Sequence, residues 1–280
     1  MEKVARNSLP QSTNNLIQPV LIILIVIAAF FIGSLWTKVQ ILEKGGVVAN
    51  SAAPSVKTTT TNDTPPEPIK ETVDLAQIKD LFKKNVIKFG DANKKVLFIE
   101  IADPSCPYCH IAGGLNGELN KQVGDKFTLV ADGGTYVAPV PEMKKLVDQG
   151  KAGFVYIYTP GHGNGEMGTK ALYCANEKGK FWDVHDLLMT NAGYDLINNT
   201  VKNDKAKSGE IADYLKSTFD PIQMKSCLDS GKYDKRLGED VAIASSLGVQ
   251  GTPGFFVNAT RFAGAYSYKD MESVVTDALK

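Results

Sequence analysis

Three kinds of hydrophobic pattern succeed one another along the chain. Val20 to Trp36 is an apolar run of 17 residues in which Ser34 is the one strongly polar side chain. As a helix it covers roughly 26 Å, and Leu16, Ile17 and Pro19 extend it to the thickness of a bilayer core. No small-x-small cleavage site follows directly, so 16–38 reads as an uncleaved transmembrane anchor rather than a secretory signal. From Gly45 to Val73 large apolar residues are sparse and Thr, Ser, Ala and Pro dominate, with Thr58 to Thr61 followed by Pro65, Pro66 and Pro68. That composition cannot bury a core. Residues 39–73 therefore read as a flexible stalk, 1–15 as a cytoplasmic N-terminus, and 74–280 as a folded domain.

Within the domain the pattern breaks into short elements. Leu75, Ile78, Leu81 and Phe82 fall at helical spacing and predict a helix over 74–84. Residues 86–89 predict a short strand, and 96–101 (VLFIEI) a strand buried on both faces. A helix is expected over 107–123, across Gly113, Gly114 and Gly117, with further strands at 127–131 and 154–158. Between about 165 and 247 the spacing is helical (171–175, 181–189, 211–219, 221–228 and 233–247). Strand character returns at 254–258 and 261–264 around a turn at Asn258-Ala259-Thr260, and a last helix starts near Ser267. Strand–helix–strand, helical block, hairpin and closing helix make an α/β domain with a helical insertion.

Charge narrows the function classes. Lys+Arg (31) balances Asp+Glu (31), and the part beyond the anchor is close to neutral, which argues against a nucleic-acid partner. Four cysteines among 280 residues are too few to build a disulfide scaffold, so their placement matters more than their number. Cys106 and Cys109 form a C-x-x-C; Cys174 and Cys227 lie 53 positions apart in the helical block.

The sequence Cys106-Pro107-Tyr108-Cys109 lies where the buried strand hands over to a helix. Pro107 suits the first helical position, where its missing N–H costs nothing. Cys106 then sits at the helix N-terminus, where free backbone N–H groups and the helix dipole favour thiolate over thiol. Cys109, one turn on, can close a disulfide with it, its sulfur buried against the strand. Cys106 would exchange with a substrate sulfur and Cys109 would resolve the mixed disulfide. A zinc site would need two more ligands close by, and none stands at ligand spacing. With His110 the motif also spells the haem c attachment pattern C-x-x-C-H, but it follows a buried strand rather than lying in a helical module. No metal or cofactor is expected.

VLFIEIADPSCPYCH, the helical block and the late GTPGFFVN together resemble the thioredoxin-like proteins of the DsbA type, from about Asp74 to Lys280. The resemblance implies a thioredoxin-like fold and thiol–disulfide oxidoreductase activity in the bacterial cell envelope. It makes Cys106 and Cys109 the redox pair. It also implies a cis bond between Thr252 and Pro253 beside the dithiol, where backbone pairs with an extended substrate. Glu100, six residues before Cys106, stands where this fold carries a buried acid, and would move a proton to or from Cys109; alternatively, strand alternation turns it to solvent. Tyr108 is expected to tune the pair. His110 either adds positive charge near Cys106 or is a helix residue facing solvent.

Cys174 and Cys227 either pair as a structural disulfide, which an oxidising compartment favours, or stay buried as free thiols. The glycine-rich stretch 161–168 lacks the Lys-Ser/Thr of a phosphate loop and reads as a flexible connection. Phe181, Trp182 and His185 read as helix-packing residues. The expected function is donation of the Cys106–Cys109 disulfide to exported proteins with free or mispaired cysteines, with the domain held on the extracytoplasmic side of the plasma membrane. A quinone-linked membrane partner for reoxidation is implied by the resemblance alone. The alternatives are a disulfide isomerase or reductase of the same fold, and a non-enzymatic peptide-binding module.

Overall fold

The computed structural model describes residues 73–280. The expected N-terminal segment, anchor and nearly all of the stalk lie outside the described residues. Val73, assigned to the stalk, donates its N–H to the Ala259 carbonyl (2.9 Å) and so belongs to the domain. Among the described residues, no helix is long and apolar enough to cross a membrane.

The sheet is organised around β2 (Val96–Ala102), every residue of which is buried. A near-continuous run of β-branched and aromatic side chains suits a central strand covered on both faces. It pairs in parallel with β3 (Ala152–Tyr158) and antiparallel with β4 (Gly254–Val257). Two short strands, β1 (Ile87–Phe89) and β5 (Thr260–Ala263), close the edges in the order β1-β3-β2-β4-β5. Because side chains alternate along a strand, Leu97, Ile99 and Ile101 enter the layer with Ile78 and Leu81 of helix α1 (Leu75–Leu81). Val96, Phe98 and Ala102 enter the other layer, with Cys109 and Phe181.

The parallel β2–β3 crossover carries three helices: α2 (Pro107–Gly113), α3 (Gly117–Gln122) and α4 (Pro139–Asp148). The single helix expected over 107–123 is therefore two. Gly114 ends α2 in the left-handed region (φ 68), and a Cβ there would lie 2.5 Å from that of Ala138. Only glycine fits such a stop. Asn116 then caps α3 by accepting from the Leu119 N–H (3.2 Å). The strand expected at 127–131 is also absent: those residues form two tight 3₁₀ turns, Asp125–Phe127 and Val130–Asp132. Their apolar side chains fill a satellite cluster of Ile111, Phe127, Tyr136 and Ala138 instead of a sheet position. Helix α4 has no counterpart among the expected elements, although Pro139 occupies its first position in keeping with the N1 preference.

The insertion after β3 comprises α5 (Glu166–Asn176), α6 (Phe181–Leu188), α7 (Asn191–Asp195), a π-turn (Leu196–Val201), α8 (Ser208–Tyr214), α9 (Pro221–Asp229) and α10 (Asp234–Ser246). Cys174 of α5 and Cys227 of α9 are joined as a disulfide (Cα–Cα 6.2 Å). Closing a loop of that length contributes about 4 kcal/mol through chain entropy. Phe181 is buried against Tyr156, and His185 stacks on Phe181, as expected of packing residues. After the β4–β5 hairpin, α11 (Tyr268–Leu279) starts at a capping box between Ser267 and Asp270.

Candidate functional site

The site is assembled where the C-terminal end of β2 meets α2 and the segment before β4. Cys106 is the N-cap of α2 and Pro107 follows at the first helical position. Cys106 is 4% exposed, so a substrate reaches little more than an edge of its sulfur; Cys109 is buried. Both are thiols here. The Ile101–Gly254 register between β2 and β4 brings Pro253 to the same end of the sheet as the dithiol. The Thr252–Pro253 bond is cis. The Cys106 thiol lies 3.4 Å from the Thr252 carbonyl.

The two sulfurs are electrostatically unlike. Cys106 is pulled down to about 6, chiefly by a hydrogen bond from the Cys109 thiol, with the Thr252 side chain and backbone N–H groups of Cys109 and Tyr108 adding to it against the cost of burial. Helix-start amides and the helix dipole were expected to do this; the hydrogen bond from the partner thiol outranks the amides. Cys109 is pushed well above the ordinary thiol range, first by burial and then by Cys106. The Asp103 N–H points at its sulfur (3.5 Å).

Glu100 does not face solvent. It lies on the central strand, is 1% exposed, and stands between Tyr156 of β3 and Phe255 of β4 in register. Burial pushes its carboxyl up to about 7, partly opposed by His185, and it acts electrostatically on Cys109.

Both expectations for His110 are overturned. It is wholly buried, so it does not face solvent, and burial lowers it to about 4, so it carries no charge toward Cys106 near neutral pH. Its ring nitrogens lie 2.8 Å from the Pro104 carbonyl and 3.0 Å from the Met189 carbonyl, tying α2 to the insertion. Tyr108 is 44% exposed beside Cys106 and rests edge-on against Phe127.

Sequence reasoning missed Asp103. This fully buried carboxylate accepts from the Ser105 N–H and hydroxyl (both 2.7 Å) through one oxygen. The other accepts from the N–H groups of Gly161 (2.7 Å) and His162 (3.0 Å). The glycine-rich stretch is thus no loose connection: it is clasped to the site, and a Cβ at Gly161 would stand 1.8 Å from Thr252 Oγ1 and 3.4 Å from Cys106 Cβ. Asn198, in the π-turn, donates to the Ser105 carbonyl (3.1 Å), directly before Cys106. The available signal was an acid inside an otherwise apolar strand-to-helix handover, which burial permits only with partners.

Comparison with known proteins bears on the fold. A family profile described as thioredoxin matches residues 140–277, a stretch that begins beyond the dithiol and takes in the insertion, Pro253 and the final hairpin. The fold is thioredoxin-like. Oxidised BdbD of Bacillus subtilis superposes with a TM-score of 0.51 at 18% identity, over 75% of this chain and 97% of that one. A cysteine-substituted alpha-DsbA1 of Wolbachia pipientis gives 0.53 at 18% identity, over 72% and 95%. The thioredoxin-like fold is thus shared with BdbD and alpha-DsbA1. In sequence, the chain is 26% identical over 193 residues to the Na(+)/H(+) antiporter NhaA 3 of Salinispora tropica, and 25% identical over 193 residues to NhaA 1 of Salinispora arenicola. Each match takes in 68% of this chain, which spans about a quarter of those proteins' length (24%).

Proposed function

We propose that this protein is a membrane-anchored thiol–disulfide oxidoreductase that donates the Cys106–Cys109 disulfide to exported proteins. The observation that carries the reading is the opposed tuning of the two sulfurs: Cys106 lowered at the mouth of the site, Cys109 raised beneath it. A substrate thiolate attacks Cys106, the better leaving group on release, while Cys109 is shielded from outside attack by its burial. Transfer of the disulfide is completed when a second substrate thiolate attacks the substrate sulfur of the mixed disulfide and displaces Cys106 as thiolate. Stabilising that thiolate stabilises the reduced protein, which favours donation over reduction. Pro253 and Thr252 present backbone to an extended substrate segment, and Glu100 serves as proton donor and acceptor for Cys109.

The Cys174–Cys227 disulfide supports a domain held on the extracytoplasmic side of a bacterial plasma membrane, and a quinone-linked membrane protein would restore the dithiol's disulfide. The test is the equilibrium of the dithiol with a glutathione buffer. A donor equilibrates in buffers more oxidising than those that poise a reductant such as thioredoxin, at about −270 mV. A value at or below that figure would reverse the proposed direction. Cys106→Ser should abolish disulfide formation in a reduced test protein; full activity in that variant would leave only peptide binding.

A further inference from the structure

Glu100 carries a proton problem of its own. Its carboxyl is buried on a central strand, so each proton it hands to Cys109 must be replaced from somewhere. The opposite face of β2 presents Ile99 and Ile101, and the β4 neighbour is Phe255, so neither direction offers a polar route. Unpartnered polar groups away from the dithiol lie toward β3 and α6. Tyr156 is the register neighbour of Glu100, its ring packs against Phe181, and Phe181 stacks on His185. Glu100 Oε2, the Tyr156 hydroxyl and His185 Nε2 are all buried, and none has a hydrogen-bond partner. Orphaned buried groups of this kind are ordinarily satisfied by internal water, which can also carry protons.

His185, itself buried, touches a surface carboxylate. Its Nδ1 lies 3.0 Å from the carboxylate of Asp186, which is half exposed. Donation from Nδ1 to that carboxylate leaves Nε2 as the basic nitrogen, turned toward the interior. The groups acting on Glu100 and its neighbour Tyr156 from the surrounding elements are Cys109 of α2, His185 of α6, Asp103 beyond β2 and Tyr173 of α5.

We infer that Glu100 exchanges its proton with solvent through His185 and Asp186, so that His185 is a positioning and relay residue acting on the dithiol through Glu100. This rests on the function proposed above. When a substrate thiolate attacks Cys106 Sγ, the Cys106–Cys109 bond breaks and its electron pair leaves on Cys109 Sγ. The substrate sulfur is oxidised and Cys109 reduced, and the Glu100 carboxyl proton passes to the Cys109 sulfur. His185 passes its Nε2 proton to the Glu100 carboxylate while Nδ1 takes one from solvent beside Asp186, which leaves the tautomer with Nδ1–H on that carboxylate. In the reverse direction the same groups carry the Cys109 proton out.

The test uses the full-length chain, reacted with reduced glutathione in its oxidised form and with glutathione disulfide in its reduced form. Rates are followed from about pH 5 to about pH 9 and corrected for the thiolate content of the reagent. The parent should show a limb near pH 7 that Glu100→Gln removes. His185→Phe keeps the stack on Phe181. It should move that limb up by roughly half a pH unit and slow the reaction in which Cys109 loses its proton about fivefold at pH 7. Asp186→Asn, at the surface end, should move both in the same direction by less, and it decides the matter if His185→Phe does not fold. Profiles for His185→Phe and Asp186→Asn that superimpose on the parent, with the limb still lost in Glu100→Gln, would overturn the relay and leave the oxidoreductase reading intact. A limb that survives Glu100→Gln would overturn the relay together with the role assigned to Glu100. Loss of the Cys106-dependent reaction from the parent itself would sink the function proposed above.

Discussion

The acidity of Cys106 can be traced to one contact and tested by removing it. In the folded dithiol the Cys106 sulfur is held at about 6, and the first cause is the Cys109 thiol donating to it. A hydrogen bond to a charged group is worth about 1.5–3 kcal/mol, or roughly one to two pKa units. Cys109→Ala should therefore raise Cys106 to roughly 7–8. The thiolate fraction at pH 7 would fall from about 90% to between about 50% and about 10%. Cys174 and Cys227 are paired, so Cys106 is the one free thiol left in that variant and its titration is unambiguous. Thiolate absorbance near 240 nm against pH gives the midpoint, and the pH dependence of iodoacetamide alkylation gives it independently. The sign follows from linkage: an acid lowered by folding stabilises the folded reduced form above its unfolded pKa and loses that contribution as pH falls through about 6. At pH 7 the contribution is about 1.4 kcal/mol, equivalent to roughly 30 mV toward a more oxidising couple. A Cys109→Ala midpoint still near 6 would show that the helix-start amides and Thr252 hold the thiolate, and the partner-thiol explanation would fail.

Three further outcomes follow from the same site. Glu100 is raised from 4.5 to about 7 by burial, so the unfolded chain ionises first and stability should decline by about 3 kcal/mol between pH 4.5 and 7; urea unfolding of Glu100→Gln should lack that decline. His110 is lowered from 6.5 to about 4, so the unfolded chain protonates first and stability should fall by about 3 kcal/mol as pH drops through that window; His110→Gln, able to donate to one of the two carbonyls, should flatten it. Gly161→Ala forces a methyl toward Thr252 Oγ1, which should cost about 1–3 kcal/mol by thermal melting and slow exchange at Cys106, with Thr252→Ala in the same chain restoring part of both.

Elements whose signal is local were legible in the chain. The apolar run of β2, the helical spacing from Glu166 to Ser246 and the strand–dithiol–helix handover each depend on neighbours a few positions apart, and each appears where the pattern placed it. The failures share a different origin. Residues 127–131 have strand composition, yet the flanks of β3 and β2 are already taken, so they coil into the Phe127–Tyr136 cluster. The helix across Gly113, Gly114 and Gly117 has acceptable spacing, but Ala138 approaches so closely that only a left-handed glycine stop fits.

The candidate site divides the same way. Cys106, Cys109 and Pro107 declare themselves by spacing, because a dithiol at a helix start is local chemistry. The state of each group was decided by tertiary structure, since proton affinity depends on burial and on partners distant in sequence. Glu100 lies on a central strand rather than an edge, His110 is neutral between two carbonyls, and Asp103 clasps a loop 58 positions away. A chain can spell out which sulfurs and carboxyls it carries; only folding sets the dielectric and the hydrogen bonds that determine which of them hold a proton.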